Sequence, residues 1–176
     1  WERVLKELSA QAEARADWAA AAGYLRMAEF FMAPDTLECH TVYDRAREIF
    51  YTHFAHLFAE QSGPIHRDEV PYEGGVLPCW RILPDGVSKG TILFHGGNDS
   101  LLEEFPDALL YLAQGGYTVL AFEGPGQGAA LRKSGLTFTP EWEKPVGAVL
   151  DHYGADDVTI VGVSLGGELC MRAAAM

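Results

Sequence analysis

The sequence predicts an α/β protein, a mostly parallel sheet that follows a helical segment. Three observations carry this. The stretches "GTILFHGG", "YTVLAFEGPGQG" and "VTIVGVSLGG" are short continuous apolar runs, each ending in glycine. Such runs mark strands buried on both faces. Helical patterns separate them, and strand–helix alternation builds a parallel sheet. Residues 1–62, by contrast, carry almost no strand signal. The division expected is a helical segment over 1–63 and a sheet-containing part over 64–176.

In the first part, "AEARADWAAAAGYLRMAEFFM" (12–32) is rich in strong helix formers. Trp18, Ala21, Ala22, Leu25, Ala28 and Met32 recur at helical spacing. Pro34 breaks that helix, and Asp35 or Thr36 can cap the next. Val42, Ala46, Ile49, Phe50, His53, Leu57 and Phe58 give the second helix its face, up to the stop at Ser62-Gly63-Pro64. The aromatic residues from Phe30 to Phe58 read as core packing.

From residue 65 the period changes. "IHRDEVPYEGG" and "VLPCWRILP" read as a hairpin turning at Glu73-Gly74-Gly75. Pro71 and Pro78 place both strands near a sheet edge. Pro84-Asp85-Gly86 is a turn. A buried strand follows in "GTILFHGG", then a helix over 101–114 with Pro106 in its early part. The second buried strand is "YTVLAF". Val146, Val149, Leu150 and Tyr153 share a helical face in "PEWEKPVGAVLDHY". "VTIVG" is the third buried strand, and "ELCMRAAAM" opens a last helix, on which Glu168 and Arg172 are spaced for an ion pair.

The net charge of −12 excludes partners that need a basic surface, so neither a nucleic acid nor a membrane is expected. Cys39, Cys79 and Cys170 are odd in number and widely spaced. No metal site is expected of them, nor a disulfide framework. They suit a reducing, cytoplasmic location. The partners expected are a small-molecule substrate and, through homo-oligomerisation, other copies of the chain. No cofactor is expected. The start "WERVLKELSAQ" and the end "MRAAAM" both read as cut from something longer.

The chemistry is concentrated in "VGVSLGGE" (161–168). An apolar strand, G-x-S-x-G and a helix make a nucleophile elbow. The serine on that turn projects its hydroxyl above the sheet. The flanking glycines leave room for strand and helix, and the helix N-terminus favours an oxyanion. Ser164 is therefore the candidate nucleophile, and the Leu165 N–H is one candidate oxyanion donor. A second donor comes from the loop after an earlier buried strand. "LFHGGND" (93–99) is that loop, and Gly97 or Asn98 can supply the N–H, with Asn98 slightly favoured. His95 and Glu123 end buried strands at the same sheet edge and are candidate pocket residues. The alternative is that His95 braces the oxyanion loop and Glu123 pins the turn after it through backbone N–H groups. His40, His53, His56 and His66 are not expected to reach the elbow, and His152 reads as a surface or helix-end residue. No histidine follows Ser164.

Together these residues resemble the α/β-hydrolase superfamily. Within it, "ILFHGGNDSLLEEF", "AFEGPGQG" and "VGVSLGG" are similar to the dihydropseudooxynicotine-hydrolase-like group. The resemblance covers most of the chain from about residue 65, and more loosely the helical part from "YLRMAEFFM". It implies that the helical segment contributes to a cap over the active site. It implies hydrolysis of an ester, or of a carbon–carbon bond next to a ketone, by serine, aspartate and histidine in that chain order. It carries Ser164 as nucleophile, with Leu165 and Gly97 or Asn98 as oxyanion donors. It carries no residue here for the aspartate or the histidine, which in that family come after later strands. The chain is accordingly expected to be the N-terminal part of a hydrolase, its last strand left with an open edge.

Overall fold

The computed structural model describes residues 1–176. The chain divides into two compact units, Trp1–Ala59 and Glu60–Met176.

The first unit is helical. It holds α1 (Glu2–Ala14), α2 (Trp18–Phe30) and α3 (Leu37–His53), and then a 3-10 turn at Ala55–Phe58. α2 lies against both α1 and α3. Ala12, Ala21, Leu25, Ala28, Val42, Ala46 and Ile49 form the core. The alanines among them let the helices approach closely. The helix expected over 12–32 is in fact interrupted. Ala16 takes φ 56°, and the Asp17 side chain accepts the Ala20 N–H at 3.2 Å to start α2 afresh. No glycine or proline announces that break, so the apolar period runs through it. Thr36 caps α3 by accepting from Cys39 N at 3.2 Å. α3 stops at His53 rather than continuing to Ser62, and Leu57 and Phe58 belong to the 3-10 turn.

The second unit is a five-stranded sheet with helices on both faces. Its strands are β1 (Ile65–Tyr72), β2 (Gly75–Ile82), β3 (Thr91–His95), β4 (Thr118–Phe122) and β5 (Val158–Gly162), in the spatial order β1-β2-β4-β3-β5. β1 and β2 form the antiparallel hairpin, and β2 pairs antiparallel with β4. β3 lies between β4 and β5, parallel to both. β1 is an edge strand, as Pro71 suggests. β2 is not, although it contains Pro78. Its ladder with β4 begins at Cys79, so the missing proline N–H costs that ladder nothing, while Pro78 O still accepts from Glu123 N at 3.0 Å.

The helices of this unit are α4 (Pro106–Gln114), α5 (Gly128–Arg132), α6 (Glu143–Tyr153) and α7 (Leu165–Ala175). The helix expected over 101–114 starts only at Pro106. Proline disfavours helical backbone in the residue before it and suits the first helical position, so Leu102–Glu104 form a separate 3-10 turn. Alternation splits the apolar strand residues between two layers. Leu93, Leu120 and Phe122 pack with Trp142, Val146, Val149 and Leu169. On the other face, α4 lies against β4, and Phe94 meets the Phe105 ring at 5.0 Å. β3 and β4 are buried on both faces, whereas β5 is half exposed at the open edge, with Val161 36 % exposed. Arg172 does not pair with Glu168. It reaches α6, where Nε and Nη2 donate to the two Glu143 oxygens at 2.9 and 3.1 Å. His152 is tied down as well, Nε2 lying 3.0 Å from Asp68 Oδ2 on β1.

Candidate active site

β5 delivers the chain to Ser164, which has φ 56° and ψ −124°. A non-glycine residue there carries backbone strain of about 1–3 kcal/mol, held only because the surroundings fix it. Those surroundings are the close crossing of β5, α7 and the loop after β3. A Cβ on Gly162 would run into the Gly166 carbonyl and lie 2.7 Å from Cys170 Sγ. A Cβ on Gly166 would lie 2.5 Å from the Gly96 carbonyl oxygen. Glycine at both positions is what lets strand, turn and loop meet. Ser164 is exposed, and its hydroxyl has no hydrogen-bond partner in the chain.

The loop after β3 runs beside that hydroxyl. A Cβ built on Gly97 would sit 3.0 Å from Ser164 Cβ and 3.6 Å from its Oγ. The two candidate N–H groups of this loop are not equivalent. Gly97 N–H already donates to Ser100 Oγ at 2.9 Å, so that donor is engaged within the loop. Asn98 N–H has no acceptor in the chain, and neither does Leu165 N–H at the first position of α7. The unbonded hydroxyl thus stands at a helix N-terminus, a place that favours negative charge.

His95 and Glu123, offered by the sequence for the pocket, are braces instead. His95 is fully buried. Its Nε2 accepts from Trp142 Nε1 at 3.3 Å and lies 3.3 Å from Cys170 Sγ, and its Nδ1 lies 3.4 Å from the Gly96 carbonyl. With both nitrogens engaged, it does not serve Ser164 as a base. Burial pushes its pKa down to about 4, against the weaker opposite pull of the Gly96 carbonyl. Glu123 is buried, accepting Leu102 N at 3.1 Å on one oxygen and Ala129 N at 2.7 Å on the other. It joins the 3-10 turn at Leu102–Glu104 to the start of α5.

Gln127 was not legible as a site residue. It is the one long polar side chain in "GPGQG", and it is buried. Its Nε2 donates to Gly96 O at 2.8 Å and Gly97 O at 2.7 Å, while its Oε1 accepts from Gly124 N at 2.8 Å. Trp142, which fixes His95, lies 47 residues away in sequence, and no local pattern links the two.

Comparisons with known proteins bear on the fold. Residues 92–176 match the family model described as the alpha/beta hydrolase fold. The chain is 32 % identical to the alpha/beta hydrolase psoB of Aspergillus fumigatus, over 99 % of this chain and 47 % of that protein. It is 35 % identical to the hydrolase LUC6 of a Fusarium species, over 99 % of this chain and 48 % of that one. The chain thus spans about half the length of the curated relatives it matches. Among solved structures it is similar to the 2,6-dihydroxy-pseudo-oxynicotine hydrolase, with a TM-score of 0.66 at 22 % identity, over 99 % of this chain and 51 % of that one. AbyA5 gives a TM-score of 0.78 at 24 % identity over the same shares. At such identities the likeness concerns the fold. No helix is long and apolar enough to cross a membrane. With the elbow, the glycine crossing and these matches together, residues 92–176 carry the alpha/beta hydrolase fold, and the chain as a whole is similar to alpha/beta hydrolases.

Proposed function

We propose that the chain carries the nucleophile and oxyanion half of a serine hydrolase acting on a small ester or β-keto substrate. The observation that carries this is Ser164 itself. Its hydroxyl is exposed and unbonded on a strained strand-to-helix turn, and the Leu165 and Asn98 N–H groups have no acceptor in the chain. In the reaction, Ser164 Oγ attacks the substrate carbonyl carbon. The carbonyl oxygen becomes an oxyanion and accepts from those two N–H groups. Collapse expels the alcohol, or the carbanion of a cleaved ketone, and leaves an acyl-serine that water hydrolyses. The proton leaving Oγ needs a base, and His95 is occupied elsewhere. We assign that role to a histidine, oriented by an aspartate, outside residues 1–176. Three thiols without a disulfide fit a cytoplasmic setting.

The test is a fluorophosphonate probe on the full-length protein, followed by intact mass and peptide mapping. A single adduct on Ser164, absent in Ser164→Ala, is the expected result. A folded full-length protein that is not labelled would replace the hydrolase reading with a second one, a hydrolase-like scaffold used for binding. That reading draws on the absence of any base bonded to Oγ within this chain.

A further inference from the structure

We infer that Gln127 is a positioning residue that sets the direction of the oxyanion-donating peptide; this rests on the proposed role of Asn98 N–H. The inference comes from the geometry of two consecutive peptide units. No peptide bond in the chain is cis. In a trans peptide, C=O and N–H point in opposite directions within one plane. Gly97 C=O and Asn98 N–H belong to the same unit. Gln127 Nε2 holds the Gly97 oxygen at 2.7 Å, on the buried side of the loop. The Asn98 N–H at the other end of that unit must then face away from Gln127.

The unit before it is fixed in the same way. Gly96 O accepts from the same Gln127 nitrogen at 2.8 Å, and Gly97 N–H of that unit donates to Ser100 Oγ. One amide group therefore holds two successive carbonyls inward. Its own orientation is set by Gly124 N–H, which donates to Oε1 at 2.8 Å. That contact decides which end of the side-chain amide is oxygen, and so leaves the NH₂ for the two carbonyls. The loop after β4 thereby specifies the loop after β3. With two glycines in succession, the backbone at Gly96 and Gly97 has little steric preference to hold it by itself. A free peptide there could turn over and present a carbonyl oxygen to the developing oxyanion, which would repel it.

The test compares Gln127→Glu and Gln127→Met with wild type in the full-length protein. Gln127→Glu keeps the shape and the acceptor for Gly124 N–H, but offers no donor to the two carbonyls. Gln127→Met keeps the volume and serves if the carboxylate destabilises the fold. Rates of p-nitrophenyl ester hydrolysis are normalised to the Ser164 sites titrated by fluorophosphonate. A trifluoromethyl ketone, which forms an anionic hemiketal with the serine, reports on the oxyanion site alone. Loss of one oxyanion donor lowers kcat by about 10²–10³-fold. The expectation is a fall of at least about tenfold in kcat per titrated site, with KM changed by no more than about threefold and the fluoroketone weakened by the same factor as kcat. A purely structural role would lower the number of titratable sites or the melting temperature and leave kcat per site intact, and that result overturns the inference. If wild type is not acylated at all, the proposed function falls and the inference falls with it. Acylated wild type with unchanged Gln127 variants removes the inference alone.

Discussion

In the helical unit the buried polar side chains are Ser9 and Glu29; in the sheet unit they are His95, Glu123 and Gln127. Ser9 donates to the Ala21 carbonyl at 2.9 Å, and Glu29 is paired with Arg26 at 2.8 Å. Ser9 joins α1 to α2, whereas the Arg26–Glu29 pair lies within α2, and both sit beside an apolar stripe that already holds the helices together. Elsewhere in that unit the ion pairs lie on the surface, among them Arg3 with Glu7 and Arg45 with Glu13 and Glu48. In the sheet unit, Glu123 and Gln127 bond almost entirely to backbone amides and carbonyls of loops, and His95 joins a loop carbonyl to Trp142. The difference teaches where irregular backbone gets its shape. A helix supplies its own hydrogen bonds, but the loops at the end of a parallel sheet need buried side chains to complete theirs.

The contrast predicts steep penalties at the sheet's C-terminal end and shallow ones in the helices. The largest is expected for Gly162→Ala, whose new methyl meets backbone that cannot move aside without displacing α7. We expect a loss of about 4 kcal/mol in urea denaturation. A loss under about 1 kcal/mol would mean that β5 and α7 are not locked as described. Next is Glu123→Ala, which strands the Leu102 and Ala129 N–H groups in the interior at a cost of about 3 kcal/mol. Glu123→Gln, with one acceptor kept, should fall between that variant and wild type, and equal stability of all three would contradict the bracing role.

His95 sharpens the comparison through pH. Its folded pKa is about 4, below the ordinary 6.5. Above 6.5 the ring is neutral in both states. As pH falls below that, the unfolded chain takes up a proton and the folded one does not, so stability declines down to about pH 4. Between pH 6.5 and roughly pH 5 the loss is about 2 kcal/mol. His95→Gln, which retains an acceptor for Trp142 but does not titrate, should flatten that part of the stability–pH curve. A curve of unchanged slope would assign the acid sensitivity to other groups. In the helical unit, Asp17→Ala removes the α2 cap and should cost about 1 kcal/mol by the same denaturation assay. Arg45→Gln, on an exposed pair network, should cost about 0.5 kcal/mol or less, and a loss comparable to Glu123→Ala would erase the distinction between the units.

The sequence by itself determined the order of the strands and the turn that carries Ser164. The apolar runs ending in glycine mark β3, β4 and β5 here, because strands inside a sheet are apolar on both faces and their turns must be tight. G-x-S-x-G between a strand and a helix marked the tight turn at Ser164 for the same reason, since Gly162 and Gly166 answer local steric demands. The ends of helices were less legible. The restart of α2 at Asp17 depends on a single residue with positive φ, and the 3-10 turn before Pro106 on one ring. Only the tertiary structure decided which loop N–H remains available and what the buried polar groups do. The sequence favours Asn98 over Gly97 only slightly, and it is the fold that gives the Gly97 donor to Ser100 Oγ. Gln127 reaches back 31 residues to Gly96, and Trp142 reaches back 47 to His95. Hydrogen bonds at that separation leave no periodic trace along the chain, because they are set by the packing of β3, β4 and α6 side by side.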